Sequence, residues 1–312
     1  MALSLNLPLR SLPPKANRVV ISVNPFSRAK TSLPRVERLV QLLDAKGFIT
    51  EVLSDLSAVA SRANQWHAAG SLRALVGVGG DGTAAELVNR TVPGLPLALF
   101  PAGNENLLAR YLGLGHTPEA CCETITAARV AQFDAARAGN RIFLLMLGCG
   151  FDAEVVHRLH SRRTAHVGRW HYLKPFISAV RSYEYPEMQV QWGEGVVCAG
   201  ETPARPLSAR WLFAFNLPCY GGGLRICGQA DGTDGLLDVC TFRGGGLWRT
   251  IEYIGAALMR QHQRLADFAV HRTQRLRITA EAEVRYQLDG DPGGVLPVEV
   301  ETLPGRLSAL VP

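Results

Sequence analysis

The chain has 312 residues, a net charge of +6 at pH 7 and 47% hydrophobic residues. This length is about the limit for one hydrophobic core, so we expect two domains, and the apolar content excludes a disordered chain. None of the seven cysteines forms a C-x-x-C pair, which argues against a zinc ribbon or a disulfide framework and favours a reducing compartment. No apolar run reaches the ~18 residues of a membrane span, so we expect a soluble, cytoplasmic protein. The mild basicity fits an anionic partner such as a nucleotide, a nucleic acid or a lipid surface, without choosing among them.

The first third of the chain alternates between strand and helix patterns. Apolar and β-branched runs predict strands at residues 18–23, 48–53, 74–78 and 95–100. Helical spacing of apolar residues predicts helices at residues 35–45, 58–69 and 84–89 and a fourth ending at residue 111. Four β–α steps of this length imply a doubly wound parallel sheet, with functional loops at the carboxyl ends of its strands.

After residue 116 the pattern is dominated by strands. They are predicted at residues 132–136, 141–147, 188–192, 209–216, 236–242, 276–279 and 284–288. Helices are predicted at residues 118–129, 153–163, 172–183 and 247–261. Strands separated by Gly-rich turns predict an antiparallel sandwich. We therefore expect an α/β nucleotide-binding domain over residues 16–116, completed by C-terminal strands in residues 296–312, and a β-rich substrate domain over residues 117–295.

A glycine-rich turn, V-G-V-G-G-D-G-T, occupies residues 76–83 after the third predicted strand. Between a strand and a helix, such a turn lets backbone N–H groups approach a phosphate at the positive end of the helix. Asp81 would repel a phosphate, so we interpret it as a residue that holds a divalent cation through water or takes a proton from an attacking hydroxyl. The alternative is that Asp81 only caps the helix.

The G-G-D-G-T motif resembles the nucleotide motif of diacylglycerol kinases, related bacterial lipid kinases and NAD kinases. Five further blocks, in the same order, resemble the diacylglycerol kinase branch: they begin at Asn24 (N-P-F-S), Pro101 (P-A-G-N-E-N), Gly148 (G-C-G-F-D-A), Tyr220 (Y-G-G-G, with D-G-L-L-D from Asp234) and Asp289 (D-G-D). Together the blocks span residues 18–292. The resemblance implies an NAD kinase/diacylglycerol kinase-like α/β domain followed by a mainly β domain.

The resemblance also implies the positions of the functional residues. ATP would be bound at the strand ends by Asn24, Ser54, Gly79, Gly80, Asp81, Gly82, Thr83, Gly103 and Asn104. Magnesium would be held by the Asp234 carboxylate with the backbones of Asp231 and Leu236, and a hard cation prefers such oxygen ligands. The alternative for this loop is a β-turn rich in Asp and Gly. The general base would be Asp291.

Three positions depart from the family pattern. Asn104 stands where the family has Thr, which removes a hydroxyl and keeps hydrogen-bonding capacity. Arg28 follows Ser27 where Gly is usual, which changes how closely the backbone can approach a phosphate. Asp291 replaces Glu and is one methylene shorter. A base must come within ~3 Å of the proton it takes, so the loop must shift or a water must bridge.

Residues 155–183 contain no Asp or Glu and six fixed cations, with His and aromatic residues among them. Basic and interfacial aromatic residues favour contact with anionic headgroups. The alternative is a solvated helix face and loop. We find no sequence signature of nucleic-acid binding. The sequence does not decide the oligomeric state, and a dimer is one option.

The leading hypothesis is an ATP-dependent, Mg²⁺-assisted lipid kinase that phosphorylates diacylglycerol or a related long-chain alcohol at the inner membrane face. Asp291 would deprotonate the hydroxyl, or Asp81 would if Asp291 cannot reach it. One alternative is a kinase of a soluble acceptor such as NAD, against which the G-F-D-A and Y-G-G-G blocks argue. The other is a nucleotide- or lipid-binding protein that has lost transfer, which the three departures suggest.

Overall fold

The computed structural model describes residues 8–23, 29–160, 178–180, 182–193 and 207–312. The chain divides into two compact units, Met1–Asp134 with Pro304–Pro312, and Ala135–Leu303. The chain therefore changes unit at 134/135 and 303/304, whereas the sequence prediction placed the changes at 116/117 and 295/296. The helix after residue 116 and the part of the next strand up to Asp134 belong to the first unit.

The elements of the N-terminal part follow the predicted alternation. The strands are β1 (Arg10–Ser11), β2 (Arg18–Val23), β3 (Ile49–Leu53), β4 (Leu72–Gly79), β5 (Pro96–Pro101) and β6 (Arg129–Ala138). The helices are α1 (Ala29–Ala45), α2 (Leu56–Ala68), α3 (Asp81–Arg90), α4 (Leu107–Tyr111) and α5 (Pro118–Ala127). Each predicted strand and helix of this region is present, with shifted ends.

The remaining elements are mostly strands. They are β7 (Arg141–Phe143), β8 (Met146–Gly150), β9 (Met188–Trp192), β10 (Leu207–Ala209), β11 (Trp211–Phe215), β12 (Leu237–Phe242), β13 (Phe268–Thr273), β14 (Arg275–Ala280), β15 (Arg285–Leu288), β16 (Asp291–Val295) and β17 (Val298–Val311). The helices are α6 (Phe151–His160) and α7 (Leu247–Leu258).

The first unit contains a parallel sheet in the order β3-β2-β4-β5, to which the end of β17 adds beside β5. Val19, Val20 and Ile21 of β2 are all fully buried. Consecutive buried residues are typical of a parallel strand covered on both faces, because each face packs against helices. The predicted doubly wound parallel sheet is confirmed, and its carboxyl edge carries the turns after Leu53, Gly79 and Pro101.

The second unit is built from antiparallel strands, as predicted. One sheet has the order β13-β12-β11-β8-β15-β16, and the other runs β10-β9-β14 to the first half of β17. Buried side chains of both sheets form one core, which includes Leu147, Leu212, Val239, Val190 and Ile278. Buried and less buried residues alternate along β9, as expected for a strand that presents one face to the core.

Three strands of the second unit, β10, β13 and β16, were not predicted as such. β16 has the sequence D-P-G-G-V, and Pro and Gly are poor strand formers. β13 carries His271 and Arg272 among its apolar residues, which obscures the pattern. The predicted strand at residues 141–147 is divided into β7 and β8, and most of the predicted helix at 172–183 lies outside the described residues. Among the described residues, no helix combines the length and the apolarity needed to cross a bilayer.

Candidate active site

The glycine-rich turn of the first unit joins β4 directly to α3. Gly79 is the last residue of the strand, and a Cβ atom there would lie only 2.2 Å from Thr83 Oγ1. The backbone at Gly79 therefore lies directly against the first turn of the helix. At the start of a helix, N–H groups that lack an intrahelical partner point towards any bound anion. The predicted strand–turn–helix arrangement around residues 79–83 is present.

A second glycine loop lies against the first. A Cβ atom at Gly103 would be 2.7 Å from Gly80 Cα and 3.0 Å from Gly80 N, so a larger residue would push the two loops apart. Ala102 N donates to Gly79 O at 3.0 Å and joins the loops. The structure thus brings together the backbones of Gly79, Gly80 and Gly103, which the sequence had assigned to one nucleotide site.

Asn106 holds the second loop in shape. Its side chain accepts from Gly103 N at 3.0 Å and donates to Gly103 O at 2.9 Å. Asn106 is 9% exposed and has a left-handed backbone with φ 48°, a conformation that Asn tolerates better than most residues. Asn104, which the sequence singled out, is exposed instead. The two asparagines of the block therefore differ, since Asn106 supports the loop and the exposed Asn104 stays a predicted nucleotide contact.

Asp81 follows Gly80 in the first glycine loop and is partly buried. Its Oδ1 accepts from Leu108 N at 2.9 Å and its Oδ2 accepts from Leu107 N at 3.0 Å. Burial raises the pKa of Asp81, and the bonds from Leu108 and Leu107 oppose that rise. Asp81 therefore caps a helix, as the alternative interpretation held, but the helix is α4 rather than its own α3. Both carboxylate oxygens are engaged by the protein.

Other residues of the predicted nucleotide site are less defined. Ser54 is exposed and directly follows β3, at the same edge of the sheet as the glycine turn. Asn24 and Arg28 lie outside the described residues. Arg35 was not predicted: its guanidinium lies 4.6 Å from the Phe100 ring centroid and donates to Pro101 O at 3.4 Å. Its position in an amphipathic helix gave no signal that it would reach this edge.

In the second unit, the first acid of the D-G-D block is an anchor. The Asp289 carboxylate accepts from Leu144 N at 2.7 Å, Leu145 N at 2.8 Å and Met146 N at 3.0 Å. Asp289 has φ 52° and the following Gly290 has φ 89°, so the turn depends on left-handed backbone. These bonds also explain why the chain between β7 and β8 is not a continuous strand. The turn is therefore held firmly at its base.

The second acid of the block, Asp291, is accessible. Its side chain is 37% exposed, and His160 Nε2 lies 3.3 Å from Asp291 Oδ1. Asp291 opens β16, and Gly290 N donates to Gln287 Oε1 at 2.7 Å across the turn from β15. The predicted base is thus presented to solvent on an ordered hairpin. The neighbouring His160 lies in the basic segment at residues 155–183 and was not predicted to contact Asp291.

A buried polar network connects three of the sequence blocks. The Asp152 carboxylate of G-F-D-A accepts a bond from the Tyr220 hydroxyl of Y-G-G-G and another from Gln287 Nε2 at 2.9 Å. Burial raises the pKa values of Asp152 and Tyr220. Because Gln287 also holds Gly290, the network supports the turn that carries Asp291. The blocks are distant in sequence, and sequence reasoning named none of these bonds.

The loop predicted to hold magnesium is closed by its own hydrogen bonds. Asp231 Oδ1 accepts from Thr233 N at 3.1 Å and from Thr233 Oγ1 at 2.7 Å. Asp234 Oδ1 accepts from Leu236 N at 2.9 Å, and its Oδ2 is paired with the Arg272 guanidinium. Within the part of the chain that the structure describes, no group of three or more His, Cys, Asp or Glu is suited to a metal ion. The chain itself therefore engages both oxygens of the carboxylate in the predicted magnesium set, and this donor set fits a divalent ion poorly.

Only part of the basic segment can be compared with the prediction, since residues 161–177 and 181 lie outside the described residues. Arg158 pairs with Glu154 at 2.6 Å and donates to Ser178 Oγ at 3.0 Å. This cation is therefore satisfied within the protein. Among the described residues, the four most exposed large apolar side chains lie elsewhere, on and just after α7: Trp248, Ile251, Leu258 and Met259.

Comparisons with known proteins agree with this geometry. The diacylglycerol kinase catalytic domain matches residues 18–138, and the YegS C-terminal NAD kinase beta sandwich-like domain matches residues 146–311. The chain is 26% identical over 247 residues to a diacylglycerol kinase of Mycobacterium tuberculosis, covering 77% of each protein. It is 23% identical over 301 residues to a diacylglycerol kinase of Bacillus subtilis, covering 95% of this chain and 96% of the relative.

The fold agrees as well. A diacylglycerol kinase crystal structure from Bacillus anthracis str. Sterne matches with a TM-score of 0.64 and 19% identity, covering 96% of this chain and 98% of that one. Fold and sequence matches together define a two-domain kinase fold of the NAD kinase and diacylglycerol kinase type. The chain belongs to the diacylglycerol kinase family, with a diacylglycerol kinase catalytic domain followed by a YegS-type C-terminal domain. The predicted resemblance and fold class are confirmed.

Proposed function

We propose that the protein is an ATP-dependent lipid kinase that transfers a phosphoryl group to a hydroxyl of diacylglycerol or a related long-chain alcohol. The observation that carries the proposal is the contrast at the D-G-D turn. The Asp289 carboxylate accepts hydrogen bonds from three backbone N–H groups, whereas the Asp291 carboxylate on the same turn is accessible. An accessible carboxylate held on an ordered hairpin is what a general base requires.

ATP binds, in this proposal, at the two glycine loops of the first unit. The close approach of Gly80 and Gly103 leaves backbone rather than side chains facing the phosphates. Ser54 and Asn104 are exposed at the same edge and would contact the nucleotide, as would Asn24. Magnesium accompanies ATP and neutralises charge on the transferred phosphoryl group. Positioning of the nucleotide by the backbone then accounts for most of the protein's contribution at this end of the reaction.

Asp291 accepts the proton of the lipid hydroxyl. Its carboxylate is one methylene shorter than the family's Glu, and the hydrogen bond from Gly290 N to Gln287 keeps the turn in place. His160, 3.3 Å away, limits the directions that the carboxylate can take. We assign a positioning role to Asp81, because both of its oxygens already hold the N-terminus of α4. In this proposal Asp291 is the base, and Asp81 holds α4 in place beside the glycine loops.

A lipid acceptor fits the exposed face of α7. Trp248 is 80% exposed, and Leu258 and Met259 are each 66% exposed. These positions recur at helical spacing on one side of the helix, while Tyr253 and Ala257 on the opposite side are buried. Trp is favoured at the boundary between water and a bilayer. This face would let the enzyme work peripherally at the inner membrane surface, where its acceptor resides.

The test is transfer of radiolabelled γ-phosphate from ATP with magnesium to diacylglycerol in mixed micelles. We expect labelled lipid from the wild type and nearly none from Asp291→Asn. Asp44→Asn is the matched control, because it makes the same chemical change at a surface acid that hydrogen-bonds Thr50. Label found on a soluble acceptor instead would favour the soluble-acceptor kinase. Stabilisation by ATP without transfer to any acceptor would favour a binding protein.

A further inference from the structure

The acidic loop before β12 faces an arginine from the neighbouring strand. Arg272 lies on β13 directly opposite Asp238 of β12 in the antiparallel register. Its Nη2 pairs with Asp234 Oδ2, and its Nε lies 3.7 Å from Asp238 Oδ1. A single guanidinium thus faces two carboxylates that are four positions apart in the sequence. The register of the two strands fixes this arrangement.

A negative charge on the buried Asp238 carboxylate is energetically unfavourable. Its side chain is 1% exposed, and within the described residues neither oxygen receives a hydrogen bond by distance and angle. An ionised carboxylate in such a position needs a cation close by. The guanidinium of Arg272 provides that charge.

The second acid, Asp234, lies on the more exposed side of the loop, and both of its oxygens have partners within the chain. Asp234 uses one oxygen to bind Leu236 N, which closes a tight turn, and the other to bind Arg272. A guanidinium stays protonated at all working pH values, and its planar fork matches carboxylate geometry. A divalent ion at Asp234 would have to displace Arg272 and leave it near Asp238 alone. The ion and the arginine therefore compete for the same oxygen.

We propose that Arg272 is the resident cation of this loop, and that it replaces the structural magnesium that the family resemblance implies at Asp234. The loop is then folded by the chain alone. Magnesium is needed with the nucleotide but not for the structure of the second unit. This proposal concerns stability in the absence of nucleotide, so it stands or falls separately from the proposed kinase activity.

The first test compares thermal unfolding in EDTA with unfolding in millimolar MgCl₂, without nucleotide. We expect the wild-type midpoint to change by less than about 1 °C, since magnesium that binds no folded site gives no stabilisation. Arg272→Gln should lower the midpoint by roughly 5 °C or more in EDTA, because buried charge is left uncompensated. Magnesium should restore part of this loss, because Asp234 is now free to bind it.

Arg275→Gln is the matched control. Arg275 lies on β14, the next strand along the chain but in the other sheet, and pairs with Glu299 at 2.7 Å, with both side chains more than half exposed. We expect a small loss of stability that does not depend on magnesium, as is usual for exposed pairs. Arg272→Lys keeps the charge and should stay insensitive to magnesium. If Arg272→Gln does not fold, the wild type and Arg272→Lys still decide the question.

The proposal would be overturned if magnesium without nucleotide raised the unfolding midpoint of the wild type by several degrees and Asp234→Asn abolished that rise. Equilibrium dialysis of the wild type with Mn²⁺, again without nucleotide, gives an independent reading: one bound ion per chain that is lost in Asp234→Asn counts against Arg272. If the wild type binds no more Mn²⁺ than Asp234→Asn does, the result supports Arg272 as the cation of the loop.

Discussion

The two acids that the sequence offered as candidate bases differ in the groups that contact their carboxylates. Asp81, in the glycine turn of the first unit, is partly buried and accepts hydrogen bonds from backbone N–H groups at both oxygens. Asp291, in the D-G-D turn of the second unit, has a side chain that is 37% exposed and contacts a histidine side chain. Both follow glycine in a turn, so the motif alone does not distinguish them. The number of backbone N–H groups aimed at each carboxylate does.

The same rule holds inside the D-G-D block itself. Asp289 resembles Asp81 rather than Asp291, because its carboxylate is taken up by the backbone of residues 144–146. A carboxylate in this position gains several hydrogen bonds and stabilises a loop, but it is poorly placed to accept another proton. In a turn with two acids, one carboxylate can therefore stabilise the loop while the other remains available as a base.

The largest effect is expected at Asp291. Asp291→Asn should lower kcat by about 10²–10⁴-fold, the range usual for loss of a general base, with thermal unfolding unchanged. Asp291→Glu restores the side chain usual in the family and should retain activity within about tenfold, since both acids can take the proton. Transfer assays on the two variants, with circular dichroism as the folding control, measure this. Near-normal kcat in Asp291→Asn would mean that another group takes the proton.

Asp238 is a buried acid whose carboxylate accepts no N–H group from the described backbone, in contrast to Asp81 and Asp289. We therefore expect its ionised form to lower the stability of the folded protein. Its pKa is raised from 3.8 to about 6 in the folded protein. The folded state therefore binds the Asp238 proton more tightly than the unfolded state does. The resulting contribution to the free energy of unfolding is complete below about pH 4 and is lost as the pH rises through about 6. Asp238→Asn should gain stability relative to wild type as the pH rises from 4 to 7, by up to about 3 kcal/mol at 1.36 kcal/mol per pKa unit.

Urea unfolding of the wild type and Asp238→Asn at several pH values measures this difference, and the other acids cancel in the comparison. A variant that is less stable than the wild type at pH 7 would mean that the Arg272 ion pair outweighs the burial of Asp238.

Asp81→Asn should affect both folding and activity, which separates it from Asp291→Asn. An amide has one acceptor oxygen, so one of the N–H groups of Leu107 and Leu108 loses its partner and faces a donor. We expect the free energy of unfolding to fall by about 1–3 kcal/mol, the cost of an unsatisfied buried group. Denaturant unfolding without nucleotide measures this. Loss of activity with full stability would instead give Asp81 a direct role in the reaction.

The glycine blocks explain how much of the site could be predicted from the sequence. Gly80 and Gly103 allow their backbones to approach closely, and a side chain at Gly79 would meet Thr83, so the need for glycine is visible in the residue type itself. The parallel sheet was predictable for the same reason, since long buried runs such as β2 leave a clear pattern. The bond between Asp81 and α4 was not, because it joins residues 26 positions apart through ordinary backbone groups.

The contacts in the second unit were harder to predict. Gln287 and Arg272 lie on strands whose sequences give no sign of function, and their partners are set by the register of antiparallel strands. The pairing of β12 with β13 decides that Arg272 faces Asp238, and β13 itself was not predicted. A one-residue change of register would point Arg272 to the other face of the sheet. Side-chain networks across strands thus depend on information that a single sequence does not display.

The smallest effect is expected at His160, which contacts the Asp291 side chain. Its Nε2 lies 3.3 Å from Asp291 Oδ1, so it can orient the carboxylate without taking part in the transfer. A net hydrogen bond contributes about 0.5–1.5 kcal/mol, so His160→Ala should lower kcat by roughly two- to tenfold and leave the KM for ATP unchanged. His160→Gln keeps a donor and should recover most of the loss. If His160→Ala were as inactive as Asp291→Asn, the histidine would be the base, and the exposed carboxylate would serve only to orient it.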